Sequence, residues 1–207
     1  MINRTHILVA AVLSCFATTS VMAAGTTAAS QPKPALAVVG AGTAGKLTVT
    51  SVSFQNNGTL ADMYTQNGEN WSPSLSWTPG PAGTKSYVVL VEDTGVKRPE
   101  PIVHWLIYDI PAGTTLLPER LGPQAKLISP MGAMQGKNVA QKIGYIGPKP
   151  PAGETHPYHF EVFALDQTLK LDPDNADRNA VVNAMKGHVL AAGEVVANYS
   201  GKSPART

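Results

Sequence analysis

Residues 36–49 read LAVVGAGTAGKLTV, and the choice between two fold classes turns on them. An apolar run ends in Gly40-Ala41-Gly42-Thr43-Ala44-Gly45-Lys46, which satisfies the dinucleotide fingerprint G-x-G-x-x-G. The same string matches all but the last letter of the phosphate loop G-x-x-x-x-G-K-[ST], because position 47 is Leu. Both motifs need a helix that starts at the last glycine, since its unpaired N–H groups hold the phosphates. The chain continues instead as KLTVTSVSF, where β-branched residues alternate at period two, a strand signal. The rest of the chain also lacks the alternating strand and helix patterns that build a parallel nucleotide-binding sheet. The glycine string is read as a spacer and the chain as mainly β.

Upstream of it, Arg4 and His6 precede the apolar run ILVAAVLSCFATTSVMA, and Val21-Met22-Ala23 offers small residues for cleavage. Residues 1–23 are read as a signal peptide, which places the mature protein in the periplasm or outside the cell. The only cysteine, Cys15, leaves with that segment, so no disulfide, thiol nucleophile or thiolate metal site remains. Residues 24–45 have the Ala/Gly/Thr/Pro composition of a flexible linker. Residues 46–201 form the domain, and 202–207, with Lys202 and Arg206, a basic solvated tail.

Downstream, strand signals come in close succession. Asn57-Gly58 marks a tight turn. SLSW (74–77), SYVVLVE (86–92), IVHWLIYDI (102–110) and YHFEVFAL (158–165) read as strands. One helix is expected in DNADRNAVVNAMKGH (174–188), capped by Asp174 or Asn175, faced by Val181, Val182 and Met185, and ended by Gly187. VLAAGEVVANY (189–199) returns as a strand. Many strands with one late helix imply a β-sandwich.

Charge excludes several function classes. Charged residues make up 14% of the chain, the formal net charge is +2, and the lysines and arginines are scattered, so no stripe argues for nucleic acid. No amphipathic basic helix is evident, which limits membrane contact to peripheral association. Asp93, His104 and His156 could be drawn as a two-histidine, one-carboxylate metal site or as acid and base. Against that, neither G-x-S-x-G nor H-E-x-x-H occurs. No enzyme, catalytic residue, metal or cofactor is expected.

Three histidines draw notice by position. On a regular strand His104 shares a face with Ile102, Leu106 and Tyr108, so its imidazole points into an apolar layer. His156 shares a face with Tyr158 and Phe160, whereas His159 falls on the opposite face as an ordinary surface residue. Between them, GYIGPKPPAGETHPYHF (144–160) holds Gly144, Gly147, Gly153, Pro148, Pro150 and Pro151. So many fixed and permissive backbone positions describe a rigid, shaped loop that can hold N–H groups open toward a ligand.

Those residues carry a resemblance. The run Gly-Tyr, Gly-Pro, Pro-Pro, Gly, then His-x-Tyr-x-Phe is similar to that of the phosphatidylethanolamine-binding proteins, most closely their bacterial, Raf kinase inhibitor-like branch. VHWLIYDIPAG, NWSPSLSW, MQGKN (134–138) and AMKGHVLAAGEVVANY match as well, so the resemblance covers residues 47 to about 200. It implies an antiparallel β-sandwich with a short helix near the C-terminus. It also implies a small surface pocket for anions, formed by Asp93, His104, Gly147, Pro150, His156 and Tyr158. There the two imidazoles and loop N–H groups would donate to phosphate oxygens, and Asp93 would fix a histidine tautomer and favour its charged form. The expected partner is a phosphate-containing small molecule or phospholipid head group. Two further expectations come with the branch: a homodimer, and, as the alternative function, a protein target such as a kinase or protease that the chain inhibits.

One departure stands out. The family's acidic-proline motif, usually Asp-Pro-Asp-x-Pro, reads DTGVK at 93–97. Asp93 keeps the first acid, while Gly95 replaces the second and Lys97 the last proline. The mouth of the pocket is therefore expected to be more cationic, with Lys97 joining the ligand-binding set and selectivity for a head-group amine weakened. The competing expectation is a drifted loop and a relic pocket.

Overall fold

The computed structural model describes residues 31–42 and 45–203. The signal-peptide reading, the linker up to residue 30 and the tail from 204 lie outside the described residues. The fold is mainly β. In chain order its elements are α1 (Ala35–Val39), β1 (Val49–Thr50), β2 (Gly58–Thr59), a 3-10 turn (Asp62–Tyr64), β3 (Leu75–Trp77), β4 (Ser86–Asp93), β5 (Ile102–Pro111), β6 (Leu116–Leu117), β7 (Met134–Gln135), β8 (Thr155–Leu165), α2 (Arg178–Met185) and β9 (Val189–Ser200).

Six strands form one sheet in the order β2-β9-β8-β4-β5-β7, and three form a second, β1-β3-β6. Pairing is antiparallel except for β2, which runs parallel to β9. β4 is central and buried along its whole length, which is why SYVVLVED lacks polar alternation. Val89 and Val91 face one core, with Phe160, Val195 and the small sheet's Leu75, Trp77 and Leu117. Val88 and Leu90 face the other, with Phe163 and the Val181, Val182 and Met185 stripe of α2. Among the described residues no helix is long and apolar enough to cross a membrane.

Three local expectations need correction. The cap of α2 is Asp177, whose Oδ1 accepts from the Ala180 N–H at 2.9 Å, not Asp174 or Asn175. Those two are taken up in a preceding turn, where both donate to Asp172. The expected flexible linker also carries α1, whose Ala35 is fully buried. Composition suggested a spacer, but two acids far along the chain hold this segment. Ala35 N–H donates to Glu92 Oε2 at 2.7 Å and Leu36 N–H to Glu161 Oε1 at 2.6 Å. Lys202, expected in a solvated tail, instead pairs with Asp62.

Glu92 and Glu161 are both fully buried. Burial, and then the neighbouring Glu92, push the Glu161 carboxyl well above its ordinary value of 4.5. For a group raised in the folded state, the contribution is complete below 4.5 and is lost as pH rises through the raised value. Glu161→Gln is therefore expected to gain stability relative to the native chain as pH climbs above 4.5 toward the raised value. Denaturant titrations across that range check this; parallel pH profiles for the two proteins would sink it.

Candidate functional site

His104 reaches its place through an irregularity in the sheet. In the β4–β5 ladder Trp105 pairs with Val91 and Val103 with Glu92, so His104 is the extra residue of a bulge. The bulge separates His104 from Leu106 and Tyr108, its expected face-mates, which join the α2-side core. His104 instead stands edge-on to the Tyr158 ring, with centroids 5.1 Å apart. Tyr158 and His156 come up from β8, whose Tyr158 pairs with Asp93 at the end of β4.

Asp93 is buried and uses both oxygens. Oδ1 accepts from the Gly95 N–H at 2.8 Å, and Oδ2 accepts from His156 Nδ1 at 2.8 Å. Gly95 is required here, because a Cβ at that position would meet His156 Cγ at 2.6 Å. The family's second acid would therefore strike the histidine ring. DTGVK is a tight turn that aims Asp93 at His156.

The 144–151 loop is as rigid as its composition implied, for a different purpose. Tyr145 Oη donates to Tyr64 O at 2.7 Å, Gly147 N–H to Asn70 Oδ1 at 2.6 Å, and Ile146 N–H to the His104 carbonyl at 2.9 Å. The Ile146 and Gly147 N–H groups are thus spent within the protein and do not open toward a ligand. Gly147 does not line the pocket; it lets the loop approach the 64–70 segment, where a Cβ would lie 2.5 Å from Tyr64 O.

The remaining six expected residues, Asp93, Lys97, His104, Pro150, His156 and Tyr158, line one cavity of about 430 Å³. Arg98, Lys149, Gln66 and Glu154 complete its polar rim. Arg98, Ile102 and Val139 are shared with an adjoining cavity of about 570 Å³. Glu154 is the main residue missed in the sequence. Its position two before His156, at the edge of β8, was an available signal, because side chains at i and i+2 share a face. Lys149 and Gln66 carried no such signal. His159 is more than an ordinary surface residue: Nδ1 bonds Glu194 Oε2 at 2.7 Å and Nε2 bonds Thr94 Oγ1 at 3.1 Å.

The two pocket histidines are shifted in opposite directions. His156 faces a carboxylate at each nitrogen, Asp93 at 2.8 Å and Glu154 Oε2 at 3.1 Å from Nε2. Carboxylates accept, so both ring nitrogens are placed to donate, an arrangement that favours the protonated ring. Burial pulls its pKa down, but the hydrogen bonds to Asp93 and Glu154 outweigh that and hold it above the ordinary value. His104 is buried, and burial holds its pKa below the ordinary value despite the Ile146 carbonyl on Nδ1 at 2.6 Å. Beside them the Tyr158 hydroxyl is buried without a hydrogen-bond partner among the described residues. Burial, then Asp93, raises its pKa.

Comparisons with known proteins agree on kinship. The family model described as phosphatidylethanolamine-binding protein matches residues 50–200. A UPF0098 protein of Methanothermobacter thermautotrophicus is 38% identical over 148 residues, 71% of this chain and 94% of the relative. Escherichia coli YbhB, also a UPF0098 protein, is 38% identical over 135 residues, 65% of this chain and 84% of its own. The crystal structure of Escherichia coli YbcL, described as a member of the mammalian PEBP family, superposes with a TM-score of 0.71 at 31% identity, covering 76% of this chain and 99% of YbcL. A shared domain, with the bulged His-Trp strand and the Gly-Pro-rich loop meeting at one pocket, leads to one conclusion: the chain belongs to the phosphatidylethanolamine-binding protein family.

Proposed function

We propose that this chain is an exported binding protein, not an enzyme, whose pocket takes phosphate-type anions such as phospholipid head groups. The observation that carries the reading is His156 in the pocket wall, with a carboxylate at each ring nitrogen and Asp93 fixing it from behind. Lys97, Arg98 and Lys149 stand around it and add positive charge at the mouth. A charged donor in a recess with three cations at the rim attracts and holds an oxyanion.

The test is a titration with phosphoethanolamine and inorganic phosphate, following each histidine ring by NMR. Saturable, joint movement of the His104 and His156 signals is expected while His188, paired with Asp166 in a loop remote from the pocket residues, stays still. No response from either pocket histidine would refute the reading.

Two rim residues should act in opposite directions. Lys97→Ala is expected to weaken phosphate binding and Glu154→Gln to strengthen it, each by up to about fivefold, the scale of an exposed charge pair. Glu154 Oε2 sits on His156 Nε2, so an incoming oxygen must displace it. Isothermal titration checks both variants. Weaker binding by Glu154→Gln would show that Glu154 assists the ligand instead of competing with it.

A further inference from the structure

The pocket's two imidazoles offer opposite hydrogen-bonding characters. A backbone carbonyl can only accept, so the 2.6 Å contact between His104 Nδ1 and Ile146 O puts the His104 proton on Nδ1. The Ile146 N–H in turn donates to the His104 carbonyl at 2.9 Å, which pins strand and loop together and keeps the ring in this orientation. In the neutral ring, Nε2 is then a bare acceptor. Among the described residues nothing donates to it. His156 Nε2, in contrast, is placed to donate, with the ring held from behind by Asp93; a ligand oxygen takes this bond over from Glu154 Oε2, which holds it at 3.1 Å. One wall of the cavity therefore presents a donor and another an acceptor.

A fully deprotonated oxyanion satisfies only half of this pair. It can accept from His156, but its lone pairs oppose the lone pair of His104 Nε2. A buried acceptor left facing another acceptor pays the full penalty of an unsatisfied polar group. An anion that still carries a proton satisfies both. We infer that the pocket selects proton-bearing oxyanions, a phosphate monoester or hydrogen phosphate, with an anionic oxygen accepting from His156 Nε2 and the P–O–H donating to His104 Nε2. This rests on the anion-binding reading above and narrows it. A phosphate monoester ranks above both sulfate and the diester phosphate of an intact phospholipid, neither of which has an acidic O–H.

The surroundings support that assignment. Asp93 and Glu154 are the carboxylates that face His156, and the charges acting on His104 are those of Asp93 and His156, in opposite directions. Lys97, Arg98 and Lys149 stand at the rim, where they attract any anion without distinguishing a proton. Discrimination therefore falls to the recess. The buried Tyr158 hydroxyl, edge-on to His104 and without a partner among the described residues, is a further polar group on that wall. Simple charge attraction makes the opposite forecast, because sulfate at pH 5.5 is a dianion whereas phosphate is mainly a monoanion. The two accounts are separable for that reason.

The experiment uses the mature protein at a fixed pH of about 5.5, with inorganic phosphate, sulfate and dimethyl phosphate as probes, and calorimetry plus histidine ring NMR as readouts. Phosphate is expected to bind at least about tenfold more tightly than either other anion, the equivalent of one unsatisfied buried acceptor. Long-range 15N spectra should show His104 protonated at Nδ1 and bare at Nε2. Equal binding of phosphate and sulfate would overturn the inference and leave the anion-binding reading standing. Equal binding of dimethyl phosphate would do the same and restore the diester head group as a full ligand. A proton found on His104 Nε2 would also overturn it. Absence of binding by all three probes would remove the anion-binding reading itself.

Discussion

Arg178→Ala is expected to destabilise the fold by about 3–5 kcal/mol, far more than the loss of a surface ion pair. Arg178 Nε donates to Glu92 Oε1 at 2.6 Å, and Glu92 is fully buried. The same guanidinium reaches the Lys33 carbonyl at 3.1 Å, so it fastens the segment before α1 to the start of α2. Removing it leaves a buried carboxylate without its cation, held by the Ala35 N–H and next to the second buried acid, Glu161. The penalty is that of an uncompensated charge, not the worth of one contact. Denaturant unfolding measures it, and Glu92→Gln in the Arg178→Ala background should recover most of the loss. A single-variant loss below about 1 kcal/mol would place the pair among ordinary surface bridges.

Trp105→Ala should cost a similar amount, about 3–5 kcal/mol. The indole is fully buried beside the bulged His104, stacks edge-on with Tyr145 at 5.6 Å, and donates Nε1–H to Gln135 Oε1 at 2.7 Å. Gln135 uses its amide nitrogen to hold the carbonyls of Gly122 and Gln124, both at 2.8 Å. Truncation therefore opens a cavity, orphans the Gln135 oxygen and loosens the ground beneath the pocket. Trp105→Phe keeps the packing but not the N–H, and should lose only the smaller, polar share, about 1–3 kcal/mol. Circular dichroism is the readout, since the substitution also removes a fluorophore. Equal losses for the two variants would mean that the hydrogen bond, not the ring volume, dominates.

Much of the architecture was legible because its causes are local. Period-two alternation from Leu47 onward ruled out the helix that either glycine motif needs, and the structure has β1 where that helix would stand. The uninterrupted apolar run 87–91 marked a strand buried on both faces, and Val181, Val182 and Met185 marked the inner stripe of α2. The set of residues meeting at the pocket came from ordered motifs, and six of the seven line it.

The features that the chain's order could not determine depend on partners distant in sequence. Strand periodicity places His104 with Leu106 and Tyr108; only the register of β5 against β4 inserts the bulge that turns it toward Tyr158. Composition makes residues 35–39 a spacer; only the arrival of Glu92 and Glu161 from β4 and β8 supplies acceptors for its N–H groups. A string of glycines and prolines foretells a rigid loop but not where its N–H groups point, and Asn70 and the His104 carbonyl claim two of them. Composition and periodicity therefore determined the main strands and α2, and the family resemblance named residues that are brought near the pocket. Donor, acceptor and charge at each pocket atom were decided by tertiary structure, because a histidine's protonation is set by the groups that face its two nitrogens.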